Sequence, residues 1–310
     1  MRADRRRLLA GTGLASLALA AGLPGCALSA GPGSAGPAQA KPATSGAGAP
    51  QPPPQALEEV PYVQTPDVIV DAMLDLAEVS RGDVLLDLGS GDGRVVIRAA
   101  TRFQVPGLGV EIDPRLVELS RDHARRAGVS ALARFETQDL FETDLSKATV
   151  ITLYLLPDVN LALRPRLLAL APGTRIVSHD WDMGDWAPDR TLTLDVPEKA
   201  IGRDKRSRLH LWVVPARLQG LWCGAGGVVL QVQQRYQAVQ ATLRLGAEDQ
   251  ALAGRVDGPR LRLLGPGAAT SWSADLGADG VLRVQSAPPG TALRAGQPLQ
   301  QPGGATCPAG

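Results

Sequence analysis

Between residues 61 and 216, apolar runs of strand length alternate with segments of helical period. "TPDVIVDAMLDLAEVSRGD" puts Ile69, Met73 and Leu76 on one face, with Thr65 as N-cap and Pro66 at the first helical position, and so predicts a helix laid on a sheet. "DVLLDLG" then reads as a buried strand, "GRVVIRAATRF" as a helix and "GLGVEID" as a second strand. The next helix, "DPRLVELSRDHARRAG", is capped by Asp113 and closed by Gly128. "ARFETQDL" and "ATVITLYLLP" give two more strands, followed by a helix from about Asp158 to Ala171 and a fifth strand, "TRIVSHD". "TLTLDV" and "SRLHLWVVPA" read as antiparallel closing strands, making seven. The alternation predicts an α/β fold with a doubly wound, mostly parallel sheet, helices on both faces and ligands at the carboxyl ends of the strands.

After Leu218 the period falls to two. "GVVLQVQQRYQAVQATLRL", "ALAGRVDG", "RLRLLG" and "GVLRVQS" alternate with Gly, Asp and Pro turns, which predicts a small antiparallel β-domain, a meander or a sandwich. The chain therefore divides into a leader (1–26), an Ala/Gly/Pro-rich tether that cannot bury enough apolar surface to fold (27–56), the α/β domain (57–216), the β-domain (217–300) and a tail (301–310).

The leader opens with Arg2, Arg5, Arg6 and Arg7, continues apolar to Leu23 and ends in small residues. Arg5 and Arg6 resemble a twin-arginine export signal, and Leu23, Gly25 and Cys26 resemble a lipobox that would anchor Cys26 to a membrane by lipid. These features predict an exported chain, periplasmic or lipid-anchored; a downstream translation start would leave it cytoplasmic. In an oxidising compartment Cys223 and Cys307 can pair.

Composition narrows the function. The 310 residues are 44% hydrophobic, and 32 basic residues balance 31 acidic ones, so no basic patch argues for nucleic acid. Three cysteines without ligand spacing argue against a structural zinc.

The chemistry concentrates in "DLGSGDGR". Gly89, Gly91 and Gly93, between a first strand and its helix, let a ligand approach the backbone where free N–H groups point outward. Their spacing is tighter than the dinucleotide fingerprint, and Asp87 and Asp92 would repel a diphosphate, so the turn suits a cationic or zwitterionic head such as a sulfonium amino acid. Glu111 ends the second strand 22 residues after Gly89, where a carboxylate can accept from both hydroxyls of a ribose. Asp139 follows the third strand, within reach of an adenine amino group, and Leu140 can pack on the ring.

These motifs, with "PYVQTP", "LYLLPDVNLALRPRL" and "SHDWDMGDWAPD", resemble the class I S-adenosylmethionine-dependent methyltransferases from about Tyr62 to Pro215. Within that class they are similar to bacterial relatives of the mitochondrial lysine methyltransferases that act on an ATP synthase subunit. The resemblance implies S-adenosylmethionine as cofactor. It implies Asp87, Gly89, Ser90, Gly91 and Gly93 about the methionine part, Glu111 and Ile112 at the ribose, Asp139 and Leu140 at the adenine, and Tyr62 and Thr65 closing over the site. "LYLLP" stands where many relatives carry an Asn-Pro-Pro-Tyr motif, leaving the acceptor open: a protein, a lysine among the options, or a small amine.

Methyl transfer needs alignment and exclusion of water more than catalytic side chains. Tyr154 at the end of the fourth strand and Asp180 at the end of the fifth are the candidate catalytic residues, with Asp182 an alternative base. His179, Trp181 and Trp186 lie near the same edge. Because adjacent strand residues face opposite ways, His179 and Asp180 are not expected to act as a pair. His123 and His210 read as structural. The competing function is a non-catalytic envelope lipoprotein that keeps the fold as a binding module.

Overall fold

The computed structural model describes residues 62–199, 204–265, 271–288 and 291–307; the leader, its arginines, Cys26 and the tether lie outside the described residues. The first part of the described chain is α1 (Asp67–Leu76), β1 (Leu85–Leu88), α2 (Arg94–Phe103), β2 (Gly107–Glu111), α3 (Pro114–Arg126), β3 (Ala133–Thr137), β4 (Val150–Leu153), α4 (Pro157–Leu167), β5 (Arg175–His179), β6 (Arg190–Asp195) and β7 (Arg206–Val213). The strands form one sheet in the order β3-β2-β1-β4-β5-β7-β6. β1 through β5 pair in parallel, while β7 runs antiparallel to both of its neighbours. The order reverses direction beside β1, which opens a crevice outside its carboxyl end.

Burial explains the layers. β1 and β4 are buried at every position, as central parallel strands must be when helices cover both faces. Ile69, Val70, Met73 and Leu74 of α1 pack with Val96, Ala99 and Ala100 of α2 on one face. Leu163 and Leu167 of α4 pack with Leu86, Ile151 and Trp212 on the other. Gly107 in β2 allows α2 to approach closely: a Cβ added there would lie 2.8 Å from Val96 Cγ1.

Two helix starts contrast. Asp113 caps α3 as predicted, its side chain accepting from the Arg115 N–H. At α1 the N-cap is Pro66, not Thr65, and no side chain caps it. Thr65 is instead buried, and its carbonyl accepts from Arg94 Nη1 at 2.6 Å.

The second part is β8 (Gly220–Gly224), β9 (Val228–Arg235), β10 (Ala238–Leu245), β11 (Glu248–Asp257), β12 (Arg260–Leu264), β13 (Ser271–Leu276), β14 (Leu282–Ser286) and β15 (Pro298–Gln300). Each strand pairs antiparallel with the next, and β15 returns to β8, closing an up-and-down barrel rather than a sandwich. Alternate side chains fill the interior, among them Trp222, Leu230, Val256, Leu261, Trp272 and Leu282. Cys223 and Cys307 form a disulfide.

The barrel packs on the segment after β5. Trp186 is fully buried, stacked on Tyr236 with ring centroids 6.1 Å apart, and its Nε1 donates to Gln237 Oε1 at 3.1 Å. Asp185 accepts from Arg235 and from the Tyr236 hydroxyl, and Asp189 pairs with Arg255.

Candidate functional site

The loop after β1 is built on left-handed backbone. Gly89, Gly91 and Gly93 have φ of 75°, 54° and 79°, a region that glycine enters without strain. Space is as restrictive as angle: a Cβ at Gly89 would lie 2.9 Å from Leu155, one at Gly91 2.5 Å from the Tyr62 ring, and one at Gly93 2.7 Å from Phe135. The N–H groups of Gly89 and Ser90 both donate to the Val110 carbonyl, tying the loop to β2.

Glu111 meets this loop directly. Its Oε2 accepts from the Gly91 N–H at 3.0 Å, while Oε1 accepts from the N–H groups of Ile112 and Asp113. The carboxylate is thereby oriented by three backbone donors, and Oε2, with a single partner, keeps capacity for another. Ile112 beside it leaves a large apolar side chain 65% exposed. Across the crevice Asp139 uses Oδ1 to accept from the Phe141 N–H at 2.7 Å. Arg166 fixes the same turn by donating to the carbonyls of Leu140, Phe141 and Thr143.

Three carboxylates crowd the loop, and they differ. Asp92 is held below the usual carboxylate range, since the hydrogen bonds and charge of Arg94 outweigh its burial. Asp87 is buried; desolvation pushes its carboxyl up to about 7, opposed by the Thr152 hydroxyl that donates at 2.6 Å and reinforced by the charges of Glu111 and Asp92. Among the described residues neither Asp87 nor Glu111 has a basic partner.

Tyr62 lies on Gly91, and Gln64 Nε2 reaches Asp92 Oδ2 at 3.4 Å, so the segment before α1 roofs the loop. From behind, His123 Nδ1 sits 3.1 Å from the Asp92 carbonyl and the Ser120 hydroxyl donates to the Gly91 carbonyl. Ser120 carried no signal in the sequence; its hydrogen bond to Gly91 and its packing against Gly93 mark it.

A second group stands at the ends of the next two strands. Tyr154 follows β4, and its ring lies 4.0 Å, centroid to centroid, from the His179 ring at the end of β5. Burial, then the charge and hydrogen bond of Asp180, push the Tyr154 hydroxyl up to about 12. His179 Nε2 is 2.9 Å from Ser207 Oγ, and burial pushes the imidazole down to about 4.

Strand alternation fails here. Asp180 has φ of 65°, so the chain turns immediately after His179 and the two side chains come to the same place, Oδ2 lying 3.6 Å from Nε2. Sequence reasoning missed their third neighbour, Lys199, whose Nζ lies 2.6 Å from Asp180 Oδ2. Asp182 uses Oδ1 to accept from the Gly184 N–H, and one other expected member, Trp186, lies elsewhere, in the contact with the barrel.

Nucleoside and sulfonium chemistry fits these groups. A left-handed glycine loop at the carboxyl end of β1, a carboxylate with a free acceptor position and a buried acid without a basic partner among the described residues suit an adenosyl sulfonium. Ser90 Oγ is buried without a hydrogen-bond partner.

The comparisons agree. Residues 87–190 match the family model described as the ANTKMT methyltransferase domain. Over 138 residues the chain is 41% identical to a protein-lysine N-methyltransferase of Saccharolobus islandicus, covering 44% of this chain and 86% of that protein. It is 37% identical to the adenine nucleotide translocase lysine N-methyltransferase of Mus musculus over 42% of this chain and 57% of the relative, so it spans little more than half of that protein. An RNA methyltransferase from Salinibacter ruber, solved with S-adenosyl-L-homocysteine, is 52% identical over 50% of this chain and 96% of its own, with a TM-score of 0.46. With its parallel sheet, glycine cradle and ordered Glu111, the chain belongs to the ANTKMT methyltransferase-domain family of S-adenosylmethionine-dependent methyltransferases.

Proposed function

We propose that the chain transfers a methyl group to the side-chain amine of a protein lysine. One observation carries the reading: Asp180, turned toward Tyr154 by its left-handed backbone, already holds an ammonium group at 2.6 Å. An amine attacks only as the free base, because the lone pair makes the new bond. Asp180 can orient the incoming ammonium and take its proton. Tyr154 and His179 remain uncharged near neutral pH, so neither repels a second cation.

S-adenosylmethionine supplies, when bound, a methyl carbon made electrophilic by its sulfonium. Glu111 would accept from the ribose hydroxyls beside Ile112, and Asp139 from the adenine amino group, with Leu140 packing on the ring. Asp87, Gly89, Ser90, Gly91 and Gly93 would border the methionine end, and Tyr62 and Thr65 would exclude water above it. The names of the archaeal and mouse relatives support a lysine acceptor.

The test incubates the purified full chain with methyl-labelled cofactor and, separately, a lysine peptide library, small amines and RNA. Label on peptide lysines is expected. Asp180→Asn should lower kcat about 100-fold, the scale of general base catalysis, with cofactor affinity unchanged. Turnover unaffected by that substitution, or label only on amines or RNA, overturns the reading.

We further propose that the enzyme works outside the cytoplasm, as its leader suggests. The Cys223–Cys307 disulfide supports an oxidising compartment. The twin-arginine route carries folded proteins, so cofactor could travel within the site. Fractionation of cells making the Arg5→Lys/Arg6→Lys and Cys26→Ala variants tests this: the first should retain the protein in the cytoplasm, and the second should release it from membranes. If neither moves the protein, the export proposal is wrong.

A further inference from the structure

Lysine is among the side chains least often buried, since its ammonium is strongly hydrated. Lys199 is nevertheless only 11% exposed, and its partner Asp180 only 17%. The ammonium also donates to the Arg206 carbonyl at 2.6 Å, and the Lys199 carbonyl accepts from Lys205. The turn that carries Lys199 is anchored by Val196, fully buried, whose N–H donates to the Lys205 carbonyl. The amine is therefore held at the carboxyl edge of the sheet by Asp180 and by the Arg206 carbonyl at the start of β7.

Its surroundings are those argued above for the acceptor. Gly89, Tyr154 and Asp180 follow β1, β4 and β5, three adjacent strands, so Asp180 stands about 10 Å from the glycine loop at ordinary strand spacing, with Tyr154 between. The flexible four-carbon stem of lysine lets the amine swing from Asp180 toward that loop.

We propose that Lys199 is an internal methyl acceptor, a self-modification site that occupies the acceptor position when no substrate protein is present; this rests on the lysine reading above. Lys199 first passes a proton to the Asp180 carboxylate, which relays it to water. The Nζ lone pair then forms a bond to the sulfonium methyl carbon as the carbon–sulfur bond breaks, and its electron pair stays on sulfur, leaving S-adenosylhomocysteine. Methyl-lysine keeps its positive charge, so the ion pair with Asp180 can re-form.

The experiment incubates the full chain with deuterated-methyl S-adenosylmethionine, alone and beside the lysine peptide library, and maps the label by digestion and mass spectrometry. Label is expected on Lys199, with a first-order rate constant unchanged over about tenfold dilution, as an intramolecular step requires. Lys199→Arg should abolish that label, and Asp180→Asn should slow it about 100-fold while calorimetry shows unaltered cofactor binding. Peptides labelled while Lys199 stays unlabelled would overturn this inference alone. A Lys199 rate that scales with enzyme concentration would also overturn it, since the transfer is then between molecules. Neither peptides nor Lys199 labelled would overturn the lysine reading with it. If Lys199→Arg fails to fold, mapping and dilution of the unmodified chain still decide.

Discussion

Asp87 has the clearest pH signature in the molecule. Burial raises its carboxyl from 3.8 to about 7 in the folded protein, whereas the unfolded chain ionises it near its ordinary value. Stability from the neutral form is thus complete below pH 4 and is lost as pH rises toward 7, because only the unfolded state has released its proton across that window. The loss can reach about 4 kcal/mol for a shift of this size. Because the imidazole of His179, pushed down to about 4 by burial, adds stability as pH rises toward 6.5, the Asp87 contribution is read as a difference: in urea unfolding of the cofactor-free protein, the stability of the unmodified chain relative to Asp87→Asn should fall between pH 5 and pH 8. Glu111 is aimed by three N–H donors; Glu111→Ala should weaken cofactor binding by about 10- to 100-fold, about 1.4–2.8 kcal/mol, measured by calorimetry. Spacing made both acids legible in the sequence. Lys199 was not, because its meeting with Asp180 depends on a left-handed residue and on a turn of β7's approach, neither of which has a local signature.

At the level of elements, the β1–loop–α2 unit is where motif and geometry agree. Its glycines are demanded by φ and by neighbours, and the neighbours decide how a substitution fails. At Gly93 an added methyl meets buried Phe135 and Ser120, which cannot withdraw. Gly93→Ala should cost about 2–4 kcal/mol in thermal or chemical unfolding, combining backbone strain with overpacking. At Gly91 the obstacle is the half-exposed Tyr62 ring, so Gly91→Ala should displace the roof over the loop and weaken cofactor binding more than it lowers stability. The hydrophobic pattern revealed these elements because β1 is a short apolar run buried at every position and α2 has one buried face. It could not separate β9 from β10, which join through Tyr236 and Gln237 with Tyr236 at φ of 53°; a hairpin turn lacking Asn or Gly sends no signal.

The whole molecule joins a parallel sheet to a barrel, and the joint lies near the amino end of β5, where Ile176 pairs with Trp212 and Gly258 of the barrel meets Gly173. Trp186 is the pivot, buried between Trp212 and Tyr236. Trp186→Ala should cost about 3–5 kcal/mol in chemical unfolding, as large buried aromatics do. Reducing Cys223–Cys307, which closes an 84-residue span, should cost about 2–4 kcal/mol and leave cofactor affinity intact. Alternation along the strands exposed the β-domain in the sequence but left its architecture open, since β8 and β15 are short and their pairing joins the two ends of the segment. That pairing has a further consequence. Gln301 Nε2 donates to the Gln219 carbonyl, so the polypeptide enters and leaves the barrel at one point. A module whose two ends emerge together can be spliced into a surface loop of an unrelated host without stretching either, and this one carries its own covalent clasp at the seam.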